Sequence, residues 1–355
     1  MALTLDARAL LAPAQAEAEA DSLARAQQAV EQAAQALKAG ALVGLPTETV
    51  YGLAADADQP QAVGRIFDAK GRPKDHPLIV HLAGATEAQW RAGVEHYARE
   101  LPDFALKLMQ SFWPGPLTLI LPRRPEVGAA SAGGQDSIGL RCPAHPVAQA
   151  LLQACQQIGV QGLAAPSANR FGRVSPTTAG HVRDEFDDQL SDAELVILDG
   201  GPCPVGIEST IVDCSRGRPV LLRPGMIGLE ALEAAIGQPV ALRDQAAPKA
   251  SGTLESHYAP TARVRLMPQA EMQAALDLLG ADARHIAIYT RQPVSSASRH
   301  LLLRYMPPQA EACAQELFAV LRELDQPGIK LIWVETPPAD PAWDGVRDRL
   351  QRAAA

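Results

Sequence analysis

The run Lys70-Gly71-Arg72-Pro73-Lys74-Asp75-His76-Pro77-Leu78 gathers three cations and a histidine in a stretch broken by glycine and proline. Glycine lets backbone approach a ligand, proline stiffens the loop, and Lys and Arg offer charge to phosphate oxygens. The same residues would also make an ordinary solvated loop, and spacing alone leaves the two readings level. Immediately after it, Leu78-Ile79-Val80-His81-Leu82 sets a histidine in an apolar strand. Alternation places Ile79 and His81 on one face and Leu78, Val80 and Leu82 on the other. His81 is then either a hydrogen-bonded interior histidine or part of a pocket wall.

Four more polar clusters end apolar runs. Arg141 follows Ser137-Ile138-Gly139-Leu140, where it can close a strand or present a bidentate fork to a carboxylate. Ala165-Pro166-Ser167-Ala168-Asn169 leads to Ser175-Pro176-Thr177, and Asn169 is the only asparagine of the chain. These suit a polar small molecule, or a plain turn with Ser175 as a helix cap. Gly206 to Asp213 and Leu222-Arg223-Pro224-Gly225 complete the set. Polar groups at several strand ends point to one convergent pocket. The chain has no P-loop, dinucleotide-binding, zinc-protease or nucleophile-elbow motif, so an anion site here needs another construction.

The positioning elements are short. Helical periodicity predicts helices over 21–38 (capped by Asp21), 61–69, 103–111, 146–158 and 177–186. Apolar runs predict strands over 41–45, 78–82, 117–121, 138–140, 162–165, 195–198, 211–212 and 220–222. A short helix over 228–236 and a Pro- and Gly-containing polar stretch follow. Strands over 264–267, 286–289, 301–303 and 329–334 then alternate with helices near 271–279 and 309–324, and a final helix follows Pro341. The expectation is α/β, with a small parallel, doubly wound, Rossmann-like second domain.

At 355 residues, with 47% hydrophobic and 20% charged residues, the chain can build two cores. A net charge of −8 and 4% aromatics argue against a protein that coats nucleic acid. Cys142, Cys155, Cys203, Cys214 and Cys313 show no metal-ligand spacing and suggest a reducing cytosol. The first twenty residues carry acidic groups and no signal-peptide pattern, and no apolar run would span a bilayer. A cytoplasmic protein with no membrane partner is expected.

Together with Pro46-Thr47-Glu48-Thr49-x-Tyr51-Gly52-Leu53, Trp113-Pro114-Gly115-Pro116-Leu117-Thr118 and Glu208-Ser209-Thr210-Ile211-x-Asp213, these motifs resemble the YrdC-type domain of L-threonylcarbamoyladenylate synthases. They occur in the family's order across about residues 22 to 240. Ser251 to Pro260 and the tail resemble the family's long, two-domain form. The resemblance implies a YrdC-type twisted mixed sheet with helices and a division into an N-terminal extension (1–21), catalytic domain (22–240), linker or lid (241–262) and small α/β domain (263–355).

It also implies a reaction. L-threonine, bicarbonate or CO2, and ATP with Mg2+ give threonylcarbamoyl-AMP and pyrophosphate. A partner transferase then passes the threonylcarbamoyl group to tRNA, which this protein itself meets only indirectly. The family pattern sets threonine against Thr49, His81, Arg141, Ala165 and Ser209, with Arg141 clamping the carboxylate. It sets ATP against Lys70, Arg72, His76, Ser137, Ser167, Asn169, Ser175, Arg223 and the linker's Tyr258, with Lys70 and Arg72 carrying the catalytic charge and no protein-held metal. The family often has asparagine where this chain has His76, and many long-form members have a more basic run where this chain has Thr253 to Tyr258. Two other functions compete: an RNA-binding YrdC-type module without adenylate-forming activity, and a carbamoyltransferase component like those of hydrogenase maturation. The absence of a Cys-x-x-Cys pair counts against the latter.

Overall fold

Eleven short strands hydrogen-bond into one mixed sheet in the computed structural model, which describes residues 2–11, 17–254 and 256–355. Residues 1 and 12–16 of the expected N-terminal extension, and Glu255 of the linker motif, lie outside the described residues. In chain order the strands are β1 (Leu3–Asp6), β2 (Leu42–Leu45), β3 (Gly52–Asp56), β4 (Ile79–His81), β5 (Leu117–Pro122), β6 (Ser137–Arg141), β7 (Leu163–Ala164), β8 (Leu195–Asp199), β9 (Thr210–Asp213), β10 (Val220–Arg223) and β11 (Ala241–Leu242). Their spatial order is β1-β8-β2-β3-β7-β4-β6-β5-β9-β10-β11. The central strands are apolar on both faces because helices or loops cover both. Val43, Leu45, Val196 and Leu198 pack toward α1 (Glu17–Lys38), while Leu42, Leu53, Val80 and Leu119 face the larger core. That core includes Ile66 and Phe67 of α2 (Pro60–Lys70) and Trp90 of α3 (Glu87–Tyr97). Next come α4 (Asp103–Phe112), α5 (Pro146–Gln157), α6 (Ala179–Phe186) and α7 (Leu229–Ile236).

The second domain is a parallel four-stranded sheet of β12 (Arg263–Met267), β13 (Ile286–Thr290), β14 (Leu302–Tyr305) and β15 (Leu331–Glu335), ordered β12-β15-β13-β14. Alternate residues face opposite layers: Ile286, Ile288 and Trp333 pack with α8 (Gln269–Leu279), while Ala287, Tyr289, Ile332 and Val334 face α9 (Ala310–Leu324) and α10 (Asp344–Ala354). Helices on both faces of a parallel sheet agree with the expected Rossmann-like layering. The α9–α10 layer shares its apolar core with Val50, Val174 and Ile207 of the first domain. A Cβ on Gly206 would lie 2.3 Å from the Gln315 carbonyl oxygen, so the two domains touch backbone to backbone.

Several local expectations are corrected. α1 begins at Glu17, so Asp21 lies inside it instead of capping it; Glu17-Ala18-Glu19-Ala20 has the propensity to extend the helix. β1 pairs in parallel with β8, so the N-terminal segment belongs to the large sheet. Likewise β11, at the start of the expected linker, pairs with β10. α6 is capped by Thr178, whose hydroxyl accepts from the His181 N–H at 3.2 Å; Ser175 does not cap it. β1, β3, β11 and α3 have no counterpart in the sequence expectation.

Candidate active site

Local geometry explains how the cations are presented. α2 starts with Pro60 and ends at Lys70, and Gly71 takes a left-handed conformation (φ 60°) that turns the chain sharply toward Arg72. After β2, the Thr47 hydroxyl accepts from the N–H groups of Thr49 and Val50, each at 3.2 Å, and donates to the Val50 carbonyl at 2.6 Å. This hydroxyl-bridged turn holds Thr49 against Arg141 at the end of β6. The start of β3 crosses the 165–167 loop so closely that a Cβ on Gly52 would lie 3.0 Å from Ala165 Cβ.

The resulting cleft is narrow and lined by residues from both the strand ends and the linker. Thr49, His81, Arg141, Ala165 and Ser209, the five residues of the expected threonine set, all line it. So do Ser167, Arg223 and Tyr258 of the expected ATP set, along with Ser251, Gly252 and His257 of the linker. The linker therefore lies folded over the cleft. Ile79 and His81 face the cleft while Leu78, Val80 and Leu82 enter the core, as strand alternation requires.

At one end, Arg141 Nη1 donates to Thr49 Oγ1 at 2.8 Å, and Nη2 lies 2.6 Å from Glu48 Oε1. The latter is a charge pair whose angle falls outside hydrogen-bond geometry: neither Glu48 oxygen nor Arg141 Nη2 makes a hydrogen bond. Arg141 Nε, His81 Nδ1, His257 Nδ1 and Tyr258 Oη are also buried without a protein partner. Buried polar atoms are costly when unpaired, so their concentration here marks a place for a polar ligand. Burial, and next the positive charge of Arg141, pull the His81 pKa down to about 3, so its imidazole is neutral at physiological pH.

Arg223 also lines the cleft, whereas Lys70 and Arg72 do not line it but touch its lining residues Ser167 and Ser251. All three are buried, and among the described residues none has a carboxylate within ion-pair distance. Lys70 Nζ instead donates to the carbonyls of Ser167, at 2.5 Å, and Asn169. Arg72 Nη2 donates to the Pro77 carbonyl at 2.9 Å and reaches Ser251 Oγ at 3.4 Å, and its guanidinium lies over Phe171. Arg223 donates to the Ser209 carbonyl and, through Nη1, to the Ser251 carbonyl at 2.9 Å. Burial drives the Lys70 pKa well below its ordinary value and pulls Arg72 down to about 10, with mutual repulsion adding to the Lys70 shift.

The remaining expected residues sit around this group. Ser137 lines an adjoining cavity with Gln135, Gly139, Lys249 and Ser251. The Asn169 amide nitrogen donates to the carbonyls of Arg170 and Arg173, leaving its oxygen buried and unpaired. Ser175 Oγ donates to Glu208, which burial would neutralise but which Arg349 and Arg223 hold ionised, its pKa lowered. His76 is half-buried with its ring edge-on to Phe171, and it does not line the cleft. Tyr258 has φ 63°, a left-handed conformation rare for an aromatic residue, and is fully buried between His257 and Phe318. Glu48, Glu208 and Arg349 escaped the sequence reading. The two glutamates lie inside quoted motifs, whereas Arg349 reads as one more charge on an amphipathic helix.

The two-domain architecture and this cleft define a chain of the Sua5, YciO and YrdC class. Residues 35–225 match that class's family model, described as "Telomere recombination", and residues 227–355 match the C-terminal domain of threonylcarbamoyl-AMP synthase. The threonylcarbamoyl-AMP synthase of Pyrococcus abyssi is 37% identical over 325 residues, covering 90% of this chain and 92% of its own. That of Bacillus subtilis is 36% identical over 352 residues, covering 94% and 95%. The crystal structure of P. abyssi Sua5 complexed with L-threonine has a TM-score of 0.82 at 32% identity, over 100% of this chain and 97% of that one. The chain belongs to the threonylcarbamoyl-AMP synthase family.

Proposed function

We propose that this enzyme joins L-threonine, bicarbonate or CO2, and ATP into threonylcarbamoyl-AMP, releasing pyrophosphate. The observation that carries the reading is electrostatic. Arg223 lines a cleft that also holds Arg141 beside neutral His81 and Thr49, while Lys70 and Arg72 are buried against its lining residues Ser167 and Ser251. Among the described residues Lys70, Arg72 and Arg223 have no carboxylate within ion-pair distance. Burying an unpaired cation is costly, and a triphosphate would offset that cost where a neutral ligand would not.

In this reading the Arg141 fork takes the threonine carboxylate, and Thr49, His81, Ala165 and Ser209 surround its side chain. The threonine amine adds to CO2, losing a proton, to give a carbamate. One carbamate oxygen then attacks the α-phosphorus as the bond to the β-phosphate oxygen breaks, and pyrophosphate leaves with that electron pair. Positioning two anions in line and stabilising the leaving group are the tasks that fixed cations perform. Lys70 and Arg72 take the leaving phosphates; Ser137, Ser167, Asn169, Ser175, Arg223 and Tyr258 hold the rest of the nucleotide, with His76 at its margin. In this reading Mg2+ comes on the triphosphate as part of the substrate, neutralising charge on the leaving phosphates. Residues 22–240 act as the catalytic unit, and 241–262 as the linker over it.

The product is an activated mixed anhydride, which suits transfer to the anticodon-adjacent adenosine of tRNA by a partner transferase. We place this in the cytoplasm; no described helix is long and apolar enough to cross a membrane, and the five cysteines are free and buried. Arg72→Ala tests the anion site. Loss of a charge-assisted contact of about 1.5–3 kcal/mol should weaken ATP binding by at least about tenfold. Unchanged affinity in a nucleotide titration would remove Arg72 from the site.

A further inference from the structure

We propose that Arg349, on α10 of the second domain, is a positioning residue for the nucleotide half of the site, acting through Glu208 on the Ser175 hydroxyl. The inference rests on the reading above, in which Ser175 contacts ATP.

Arg349 is fully buried, at 0% exposure. Its Nε donates to Glu208 Oε2 at 2.8 Å, its Nη2 to the Glu208 carbonyl at 2.9 Å, and its Nη1 to the Pro224 carbonyl at 2.6 Å and to Asp348. Glu208 Oε1 accepts from Ser175 Oγ. One carboxylate is thus shared between a fork from the second domain and a hydroxyl from the first. A second arginine, Arg322 of α9, donates to the carbonyls of Val174 and Ser175 and pairs with Glu185 at 2.7 Å. Ser175 is therefore held through its side chain and its main chain by two arginines of the second domain.

The charge arrangement gives this hold a purpose. Arg223, which lines the cleft, donates to the carbonyl of Ser209, the residue after Glu208. Without Arg349, the buried Glu208 carboxylate would have Arg223 as its compensating cation, drawing that guanidinium away from an incoming triphosphate. With Arg349 in place, Glu208 is neutralised from the second domain, Arg223 remains available where it lines the cleft, and the Ser175 hydroxyl is held on Glu208. Because Nε, Nη1 and Nη2 of Arg349 serve four acceptors between them, the planar fork is required and a lysine cannot replace it.

ATP and threonine affinities are measured separately by calorimetry, with thermal unfolding followed for each variant. Arg349→Lys and Ser175→Ala should each weaken ATP binding about tenfold, the scale of a lost charge-assisted or buried hydrogen bond, with threonine affinity kept within about threefold. Since the two act in one chain of contacts, the double variant should be no more than about twofold weaker than the worse single variant. Arg349→Met combined with Glu208→Gln removes both charges at similar volume, so it should unfold near the wild-type temperature. With no carboxylate left to draw Arg223 away, it should also bind ATP more tightly than Arg349→Met alone; ATP affinity no better than that of Arg349→Met would overturn the inference.

Additive losses in the double variant, or equal losses of ATP and threonine affinity, would reduce Arg349 to support of the fold and overturn the inference. Wild-type ATP affinity in Arg349→Lys, with Ser175→Ala impaired, would overturn it while leaving the nucleotide site standing. Wild-type affinity in Ser175→Ala would overturn both the Ser175 contact and the relay built on it.

Discussion

Arg141 carries a charge partner in Glu48, whereas among the described residues Lys70, Arg72 and Arg223 have no carboxylate within ion-pair distance. Glu48 and Thr49 fix the Arg141 guanidinium, so under the proposed carboxylate-clamp role geometry should matter there as much as charge. Arg141→Lys keeps the charge but loses the fork, and threonine KM at saturating ATP should rise about tenfold or more. A lysine variant with wild-type KM would make Arg141 a structural residue. His81 and His257 lead to a prediction about pH. Burial pulls both pKa values down to about 3, below the unfolded value near 6.5. Between those values the unfolded chain binds protons that the folded chain does not, so stability is full above pH 6.5 and falls as pH drops toward 3. From pH 6.5 to 4.5 His81 alone should cost about 2–3 kcal/mol, and His81→Gln should lose correspondingly less in denaturant titrations at the two pH values. An identical pH dependence in the variant would place the uncharged histidine elsewhere. Lys70, Arg72 and Arg141 could be singled out in the sequence because they sit at element ends within ordered motifs, and the structure buries all three. The charge pairing of Glu48 with Arg141 could not be, since no local pattern says which carboxylate a buried arginine faces.

At the scale of elements, short strands end in loops that converge, and the linker closes over them. Gly252 is its tightest point: φ is +69°, and a Cβ there would fall 2.3 Å from Tyr258 Oη and 2.6 Å from Arg223 Nη1. Both groups are fully buried and have little room to retreat. Gly252→Ala should therefore lift the linker, adding about 1–2 kcal/mol of left-handed strain to the clash. Trypsin should then cut at Lys249 faster than in the wild type, and ATP affinity should fall while the main unfolding transition stays put. Unchanged cleavage and unchanged affinity would mean that the linker is a passive tether. The sequence made β4, α2 and the parallel second sheet readable through alternation, Pro60 and Gly71. It hid β1 and β11, four and two residues long at sheet edges, because so short a run carries little pattern.

At the scale of the whole molecule, the second domain helps to build the site. Val50, Val174 and Ile207 share a core with Phe318, Leu321, Val346 and Leu350, and Arg349 reaches Glu208 across 141 residues of sequence. Such contacts cannot be read from spacing, because an arginine on an amphipathic helix looks solvated until its partner helix and strand are in place. The cleft that results holds Arg141 and Arg223, and Ser251, Gly252, His257 and Tyr258 of the segment joining the two domains form part of its wall. The measurement that tests this account most directly is pyrophosphate release by the purified full-length protein given ATP, bicarbonate and L-threonine. The account predicts release that requires both threonine and bicarbonate and is matched by a product joining AMP to threonine through a carbonyl group. Release that ignores threonine, or nucleotide binding with no threonine-dependent turnover, would contradict it.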